Sequence, residues 1–572
     1  MTMKKYIGLS IIALSMGLAS CNDFLDKLPD NRTEANTEDK IQKLLVAAYP
    51  DHDHMAFTEY ASDNLDDMGS NNPNTERALD EYFTWVDETN SDTHNQAPED
   101  YWQDLYQCIE TANMALEGIE SMGGATTTTL REMKAEALLC RAYAHFMLVN
   151  VFAPHYNASD DTTLGVSYVT ATEKELNPKY ERETVKANYA HIDEDIQEAL
   201  PNVGDSYYQV PKYHFNKNAA LAFAARFYLY YGQPEKTIEY ATRVLGTNPG
   251  NMLRNYQHIA TLPREWNQGE GAIPMFMIEP TQNNNLLLLT SMSNQALWFG
   301  PYYYGKRYSH SEYVGENETI SAITPLFGVT TDDSYSTYFG QPFRYSGTNL
   351  NTWLTWRLPY LFEITNPVSQ TGYRRTVYNA FTGDELLLDR AEAYVLTKQY
   401  NLAASDLSIW ARNINKTANA RQYSMTPESI QQVVNATAYS YDEVTESGSI
   451  NQKGSVQSTF KKHLHPKFAI DEEGSVQECM LQAVIAMRRV ETLHEGKRWF
   501  DIKRWGIEIP RRVMNGDGEP ERIYDWLEVD DLRRAIQIPQ SVREAGYVPN
   551  PRKTEEDSGV DAMLIPSSSL LK

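Results

Sequence analysis

Two segments of the chain carry aromatic residues suited to binding flat or amphipathic ligands by stacking. They lie among Gly, Pro and Asn residues, with polar side chains beside the rings. The candidate binding residues there are Trp298, Tyr302, Tyr303, Tyr304, Arg307, Trp353, Trp356 and Arg357. A third cluster, Trp85 with Asn90 and Asp92, precedes the first long helix. Sugar rings present C–H faces that lie well on Trp and Tyr, and these rigid rings lose little entropy on binding. The pattern therefore predicts a stacking surface that needs no reacting group.

The motifs that would support catalysis are missing from the sequence. It contains no H-E-x-x-H, no G-x-S-x-G, no Walker loop and no G-x-G-x-x-G. Its carboxylates are so numerous that no glycosidase pair stands out. We therefore predict a binding protein that uses no cofactor and is not an enzyme.

Some histidine and aspartate residues have a spacing that could in principle bind a metal ion. The histidines form two alternating pairs, His52 with His54 and His463 with His465. Neither pair has a nearby cysteine or an evident third ligand, so we interpret them as solvated loop residues. The acidic runs 63–67 and 87–92 lack the glycine and the closing glutamate of an EF-hand. We predict no metal site.

The N-terminus has the features of a lipoprotein signal peptide. Lys4 and Lys5 precede an apolar stretch, residues 6–16, which is too short to remain as a membrane span. Leu-Ala-Ser then leads directly to Cys21. We predict a signal peptide over residues 1–20, lipidation of Cys21 and a lipid-attached tether over residues 21–38. Several acyl chains together would anchor the chain to a membrane.

The overall charge excludes some classes of partner. The formal net charge is −26, which argues against nucleic acid and against electrostatic docking on anionic lipid. The other three cysteines, Cys108, Cys140 and Cys479, lie among apolar residues in predicted helices. We expect buried thiols there, and neither a disulfide framework nor a zinc site.

Hydrophobic periodicity predicts long helices in the first half of the chain. Apolar residues share one helical face from Tyr101 to Ile119, and further helices are predicted over about 130–152 and 184–200. Two later segments, 218–249 and 384–410, have the spacing of tetratricopeptide repeats, in which small residues allow close helix crossing. Gly232 fits the turn of the first unit, whereas Lys398 stands at that position in the second.

These elements predict a mainly α fold. Tetratricopeptide-like helical repeats would form a right-handed superhelical scaffold that carries a large, irregular, loop-rich ligand-binding subdomain. The predicted division is an N-terminal helical region over 39–250 and a C-terminal region over 251–572. The latter comprises a loop-rich ligand-binding part (251–382), repeat helices (383–506) with a polar insertion (423–466), and a C-terminal tail (507–572).

The chain resembles the RagB/SusD family over nearly its whole mature length. The opening Cys21-Asn22-Asp23-Phe24-Leu25-Asp26 is similar to the family's lipidated start. The most specific match is the run from Arg489 to Gly506, which reads R-x-E…E-G-x-R-x-x-D-x-x-R-W-G. The segments 536–539 and 549–551 resemble the family's C-terminal ending, although Gln537 replaces the usual proline.

This resemblance implies a function at the cell surface. It implies an outer-membrane lipoprotein, facing the exterior, that captures an oligosaccharide or polysaccharide and delivers it to a SusC-like TonB-dependent barrel transporter. The alternative is peptide binding on the same scaffold with the same transporter, as in the RagB branch. A surface hydrolase is disfavoured because the sequence lacks a nucleophile or metal motif.

The run 489–506 concentrates charge and aromatic residues, yet we interpret it as part of the scaffold. Glu495 with Arg498, Arg498 with Asp501, and Asp501 with Arg504 have the i,i+3 spacing of helical ion pairs. Trp499, Phe500 and Trp505 would supply an apolar face. We therefore predict an element that fixes the helix layer.

Overall fold

The computed structural model describes residues 35–89, 92, 94, 96–175, 179–265, 268–301, 306–327, 343–347, 350–415, 424–439 and 459–553. Its helices are α1 (Glu38–Val46), α2 (Met55–Ala61), α3 (Arg77–Phe83), α4 (Pro98–Ser121), α5 (Thr128–Phe152), α6 (Val185–Ala199), α7 (Lys217–Tyr230), α8 (Pro234–Leu245), α9 (Tyr256–Ile259), α10 (Ala272–Met277), α11 (Gln295–Phe299), α12 (Glu312–Asn317), α13 (Gly383–Leu396), α14 (Tyr400–Ile414), α15 (Pro427–Ala436), α16 (Val476–Glu491), α17 (Arg498–Trp505) and α18 (Gln540–Glu544). Its strands are β1 (Asp66–Asp67), β2 (Asn285–Met292), β3 (Tyr308–Ser309), β4 (Phe343–Gly347), β5 (Leu350–Leu354), β6 (Leu361–Asn366), β7 (Thr371–Thr382), β8 (Ile509–Met514) and β9 (Pro520–Leu527). The predicted mainly α fold is confirmed.

Helix α5 forms the centre of the helical layer. It begins where the Thr127 hydroxyl accepts a hydrogen bond from the Leu130 N–H, 3.0 Å away. All residues from 135 to 153 are buried, because α4, α6 and α7 pack against the helix. A helix that is buried on all sides shows little amphipathic pattern. Cys108 and Cys140 are buried free thiols, as predicted, and burial raises the pKa of both.

Both predicted repeat units form antiparallel helix pairs, α7 with α8 and α13 with α14. In the first pair, the Thr237 hydroxyl donates to the Ala225 carbonyl at 3.0 Å, so the small residue marks a close crossing. The turn glycine, Gly232, has φ of 75°. Lys398 adopts the same left-handed region, with φ of 59°, and its ammonium pairs with Asp471 at 2.8 Å. The turn geometry is therefore kept without the glycine that usually permits it.

The segment 251–382 contains more regular structure than its composition indicates. Strands β2, β7 and β6 form an antiparallel sheet, in the order β2-β7-β6. Leu286, Leu287, Leu288 and Leu289 of β2 are all buried, because both faces of this strand are covered. A continuous apolar run of this kind lacks the alternation that identifies a half-exposed strand. This sheet was therefore not predicted from the sequence.

A second sheet joins segments that are remote in sequence. Its strand order is β3-β1-β8-β9, and β1 runs parallel to β8. Asp67 of β1 pairs with Tyr308 of β3 and with Val513 of β8. This sheet therefore brings residues 66–67, 308–309 and 509–527 together at one place.

The charged residues of the run 489–506 are buried and connect several elements. Arg498 does not pair within its own helix: its Nε lies 2.8 Å from Oδ1 of Asp63. Asp501 receives a hydrogen bond from Arg488 at 3.0 Å, and Arg504 pairs with Glu392. The predicted i,i+3 pairs are thus wrong, since burial directs these side chains towards other elements. The predicted scaffold role agrees with these contacts.

Arg489 lies in what we call the ionic network, a buried cluster of Asp63, Glu318, Lys462, Arg489, Arg498 and Arg512. Glu318 accepts hydrogen bonds from Arg489 and Arg512, both at 2.8 Å, and from Lys462 at 2.6 Å. The network links the segment after α2, the end of α12, strand β8 and the helices α16 and α17.

Among the described residues, no helix is both long and apolar enough to cross a membrane.

Candidate functional site

The β3-β1-β8-β9 sheet positions several of the side chains predicted to bind a ligand. Arg307, just before β3, forms a bidentate pair with Asp67 of β1, at 2.7 and 2.9 Å. Its side chain is 27% exposed, whereas that of Asp67 is 2% exposed. The guanidinium group is therefore fixed in place while part of it faces solvent, as a preformed hydrogen-bond donor would require.

Arg307 and several neighbouring polar side chains form what we call the rim. The rim consists of Glu76, Asp92, His94, Lys306 and Arg307. Glu76 accepts from the Lys306 ammonium at 2.6 Å and contacts Nε2 of His94 at 2.8 Å. Partial burial would raise the pKa of Glu76, but the hydrogen bond and charge of Lys306 lower it below its ordinary value. Burial raises the pKa of Asp92, which accepts from the Tyr82 hydroxyl at 3.2 Å.

Trp85 is held in a strained backbone conformation at the end of α3. Its φ of 57° lies in the left-handed region, which is unusual for a bulky residue. The indole Nε1 donates to the Ala61 carbonyl at 2.8 Å, and the Arg511 guanidinium carbon lies 3.9 Å from the ring centre. Strain of this kind persists where the surroundings determine the geometry, and it is common at ligand clamps.

Arg511 fixes both Trp85 and helix α2. Its guanidinium lies between the rings of Phe83 and Trp85, 4.0 and 3.9 Å from their centres. It also donates to the carbonyls of residues 60, 61 and 62, which end α2. Arg533 lies 5.2 Å from the Trp85 ring centre. The indole is only 6% exposed and is in contact with both arginines, so it supports the site from within and offers no free face for stacking.

A narrow groove, with a volume of about 40 Å³, runs between Trp85 and the C-terminal segment. Its lining combines aromatic and aliphatic groups with charged ones, and includes Phe57, Tyr82, Trp85, Trp499, Ile538, Asp87, Glu88, Arg533, Arg543 and Arg552. Arg552 pairs with Asp87 at 2.8 Å, which ties the C-terminal segment to the loop after Trp85. We call this the Trp85 groove. Tyr82 connects it to the rim, because the same residue lines the groove and donates to Asp92.

Two aromatic residues at this site were not identified from the sequence. Tyr524 and Trp526 of β9 are partly exposed, and Tyr524 lies close enough to Asp67 for the carboxylate charge to affect its pKa. Burial is the first cause of the raised pKa of Tyr524, and Asp67 adds to it. The turn signal Asn-Gly-Asp-Gly at 515–518, between two alternating segments, would have indicated this hairpin.

Five of the predicted binding residues lie in the core. Trp85, Trp298, Trp353, Trp356 and Arg357 are 6%, 4%, 3%, 0% and 4% exposed. The Trp298 ring contacts Tyr60 at 5.8 Å and His94 at 6.2 Å, so it forms a floor beneath the rim. Arg357 pairs with Glu495 at 2.9 Å. These positions contradict the expectation that these five side chains form an exposed stacking surface.

The structure therefore places Asp92 and Arg307 in the rim, with the buried Trp85 and Trp298 beneath them, and places Trp353, Trp356 and Arg357 elsewhere in the interior. Other predicted residues, Cys21, Asn90, Tyr302, Tyr303 and Tyr304, lie outside the described residues.

The histidines and acidic runs considered as metal ligands have other partners. His54 is buried, not solvated, and burial lowers its pKa to about 3. His463 stacks on Tyr439, with ring centres 3.7 Å apart. Asp66 is paired with Arg512 at 2.8 Å. Within the described part of the chain, no group of three or more His, Cys, Asp or Glu side chains has the geometry to hold a metal ion.

Comparison with known proteins gives consistent matches. A model of SusD-like proteins, described as "Starch-binding associating with outer membrane", matches residues 23–229. SusD-like protein P2 of Formosa agariphila is 22% identical over 574 residues, which cover 96% of this chain and 99% of the relative.

Solved structures share the fold. A SusD-like carbohydrate binding protein from Bacteroides vulgatus has a TM-score of 0.59 at 14% identity, and the match covers 91% of this chain and 100% of that one. A SusD superfamily protein from Bacteroides thetaiotaomicron has a TM-score of 0.55 at 18% identity, with coverage of 90% and 100%. The resemblance inferred from the sequence motifs is confirmed.

Proposed function

We propose that this chain, which belongs to the RagB/SusD-like family, binds an oligosaccharide or polysaccharide at the outer membrane. The binding surface would comprise the rim, the Trp85 groove and the β9 aromatics Tyr524 and Trp526. One observation carries the proposal: a single small sheet gathers fixed charged side chains and partly exposed aromatic rings from three remote segments. The matched family description and the names of the relatives also refer to starch or carbohydrate binding.

The side chains present at this surface suit a sugar. Tyr524 and Trp526, with the predicted Tyr302, Tyr303 and Tyr304, would stack on sugar rings. Arg307, Asp92 and His94 would exchange hydrogen bonds with hydroxyl groups. An aromatic contact to a stacked ring contributes about 1–3 kcal/mol in base-binding proteins, so two or three contacts, less the ordering of the ligand, give roughly micromolar affinity. Such affinity permits release to a transporter.

This surface would release the oligosaccharide without cleaving its glycosidic bonds. Binding by stacking and hydrogen bonds needs no proton transfer, and two carboxylates of this surface are engaged by cations: Asp67 by Arg307 and Glu76 by Lys306. The chain would then deliver its ligand to a SusC-like TonB-dependent barrel while attached to the outer membrane by lipid, facing the cell exterior.

Peptide binding is the second candidate function. One charged side chain of the Trp85 groove, Arg543, favours it, because the guanidinium would pair with an acidic group of a peptide. A neutral sugar would use Arg543 only as a hydrogen-bond donor.

We expect Tyr524→Ala to weaken oligosaccharide binding about tenfold or more, which corresponds to the loss of one stacking contact. Asp92→Asn and Tyr302→Ala are expected to act in the same direction. Isothermal titration calorimetry across a panel of glycans measures the effect. Product analysis of the same mixtures should find the glycans intact.

The matched control is Tyr240→Ala, which removes a partly buried tyrosine from repeat helix α8. The glycan affinity of the Tyr240→Ala variant should equal that of the wild type. Equal losses in Tyr524→Ala and Tyr240→Ala would contradict the proposed site. Binding of peptides alone would favour the second candidate, and shortened sugars would overturn the non-enzymatic function.

Lipid attachment is predicted at Cys21. Mass spectrometry of the mature N-terminus should find acyl chains on this residue, and Cys21→Ala should release the protein from the membrane fraction. An unmodified N-terminus beyond Cys21 on the wild-type protein would contradict the prediction.

A further inference from the structure

The β6–β7 hairpin carries an unusual concentration of exposed apolar side chains. Phe362 and Ile364 of β6 are each 48% exposed, Tyr373 of β7 is 47% exposed, and Val368 at the turn is 95% exposed. The inner half of β7 is buried in the core, whereas its outer half and nearly all of β6 are exposed. The hairpin thus projects from the body on a strand whose base is fixed.

The turn of the hairpin is ordered by its own hydrogen bonds. Oδ1 of Asn366 accepts from the backbone N–H groups of Val368 and Ser369, at 3.0 and 3.1 Å. Gln370 adopts a left-handed conformation, with φ of 54°, and its side chain donates to the Pro367 carbonyl at 2.7 Å. An ordered turn presents Val368 in one position, so docking on it would cost little ordering entropy.

The outer edge of β6 is available for pairing. Among the residues that the structure describes, β6 pairs only with β7, as an outer strand of its sheet. Exposed edge strands usually carry charged residues that prevent association. From 361 to 373 the only charged residue is Glu363, and its carboxylate pairs with Arg375. Charge therefore gives this edge little protection, and its pairing register is interrupted only by an irregularity between Ile364 and Asn366.

The base of the hairpin is joined to the candidate ligand site. The Arg374 guanidinium donates to Oδ1 of Asn294 at 2.8 Å, and the N–H of Asn294 donates to the Gln96 side chain at 2.8 Å. Asn294 precedes α11, which carries Trp298, and Gln96 follows the rim residue His94. A partner docked on the hairpin would thus lie beside the rim.

We infer that the β6–β7 hairpin docks this chain onto an extended segment of the barrel transporter, which pairs with the free edge of β6 and covers Phe362 and Ile364. The inference rests on the proposed partnership with a barrel, and it assigns the contact to one element. An extended strand satisfies the exposed backbone groups of β6, and its side chains cover the alternate apolar residues on one face.

The other possible occupants fit less well. A second copy would bring together two chains of formal charge −26 each, which repel one another. A lipid surface would accept Phe362 and Val368, but it offers no partner for the backbone N–H and C=O groups of an edge strand. A protein strand meets both requirements.

The test is site-specific photocrosslinking in the full-length, membrane-attached protein. A benzophenone side chain is introduced at Phe362, and a matched one at Leu402 of α14, which is 49% exposed. After mild solubilisation of the outer membrane, mass spectrometry identifies the crosslinked peptides. We expect Phe362 to crosslink to an outward-facing segment of a TonB-dependent barrel, and Leu402 to yield no such product.

A second measurement uses the variant Phe362→Glu/Ile364→Glu, with Leu402→Glu as control. Co-purification of the barrel should fall at least tenfold for the double variant only, while calorimetry shows unchanged glycan affinity for both. If the double variant retains the barrel, the hairpin inference is wrong and the partnership stands. If the wild-type chain co-purifies with no barrel, the hairpin inference and the barrel partnership are both overturned. The glycan titration still tests the binding site separately. Crosslinks from Phe362 only to lipid or to a second copy of the chain would also overturn the hairpin inference.

Discussion

Replacing Arg489 by methionine is expected to lower the free energy of unfolding by about 3–5 kcal/mol, because it leaves buried carboxylates without their cation. Arg489 is 2% exposed, and its guanidinium donates to Glu318 at 2.8 Å, to Oδ1 of Asn64 at 2.9 Å and to the Asp63 carbonyl at 2.6 Å. Methionine keeps an unbranched apolar stem, but it is shorter and has no charge. Denaturant unfolding followed by circular dichroism measures the loss.

Arg77→Met is the matched control for this prediction. Arg77 forms an ion pair with Glu81 at 2.8 Å, but its side chain is 70% exposed. Glu81 is 8% exposed but keeps its hydrogen bonds from Thr89, and the Arg77 guanidinium is mostly solvated, so this variant should lose only about 1 kcal/mol or less. Similar small losses in both variants would show that the ionic network does not depend on Arg489.

The pH dependence of unfolding provides a further check on the same network. Burial alone would raise the pKa of Asp63 and Glu318, but Arg489, Arg498, Lys462 and Arg512 hold both well below their ordinary values. Carboxylates with a lowered pKa stabilise the fold above their ordinary pKa of about 4, and that contribution is lost as the pH falls below it. Without Arg489 the pKa values are lowered less, so Arg489→Met should lose less stability between pH 7 and pH 3 than the wild type.

The helical layer was predictable because its signals are local. The periodicity of α4, the proline after α5 and the small residues of the repeat units each act within a few residues of the chain. The β3-β1-β8-β9 sheet was not predictable in the same way. Its two-residue strands β1 and β3 carry no periodicity, and they exist only because β8 lies beside them.

Only part of the candidate site could be predicted, because local sequence signals do not show which aromatic residues are buried. Asp92 and Arg307 were predicted from residue type and from their position near turns, and they belong to the proposed surface. Trp85, Trp298 and Trp356 were predicted in the same way, yet all three are buried. Aromatic residues near Gly and Pro occur in surface loops and also in short core elements such as α11. Only tertiary packing distinguishes the two, so the sequence could not separate binding rings from supporting ones.

The core position of Trp356 predicts a large loss of stability without a specific loss of binding. Its side chain is fully buried, and the Arg264 guanidinium carbon lies 5.8 Å from its ring centre. Trp356→Ala would leave a cavity as well as lose the burial of a large apolar surface. We therefore expect the free energy of unfolding to fall by about 3–5 kcal/mol. Thermal and denaturant unfolding measure this change.

The binding measurement separates this role from that of a stacking residue. Calorimetry well below the unfolding transition should show a glycan affinity for Trp356→Ala within about twofold of the wild type, because a fully buried ring makes no contact with the ligand. A tenfold loss would require the loss of about 1.4 kcal/mol of binding free energy. Tyr373→Ala is the control: this ring is 47% exposed on the hairpin, and its loss should change stability by less than about 0.5 kcal/mol. A tenfold loss of affinity in Trp356→Ala with an unchanged melting temperature would reverse the assignment. The ring would then be a ligand contact in solution, and the binding surface would extend through the segment 353–357 into what is now described as core.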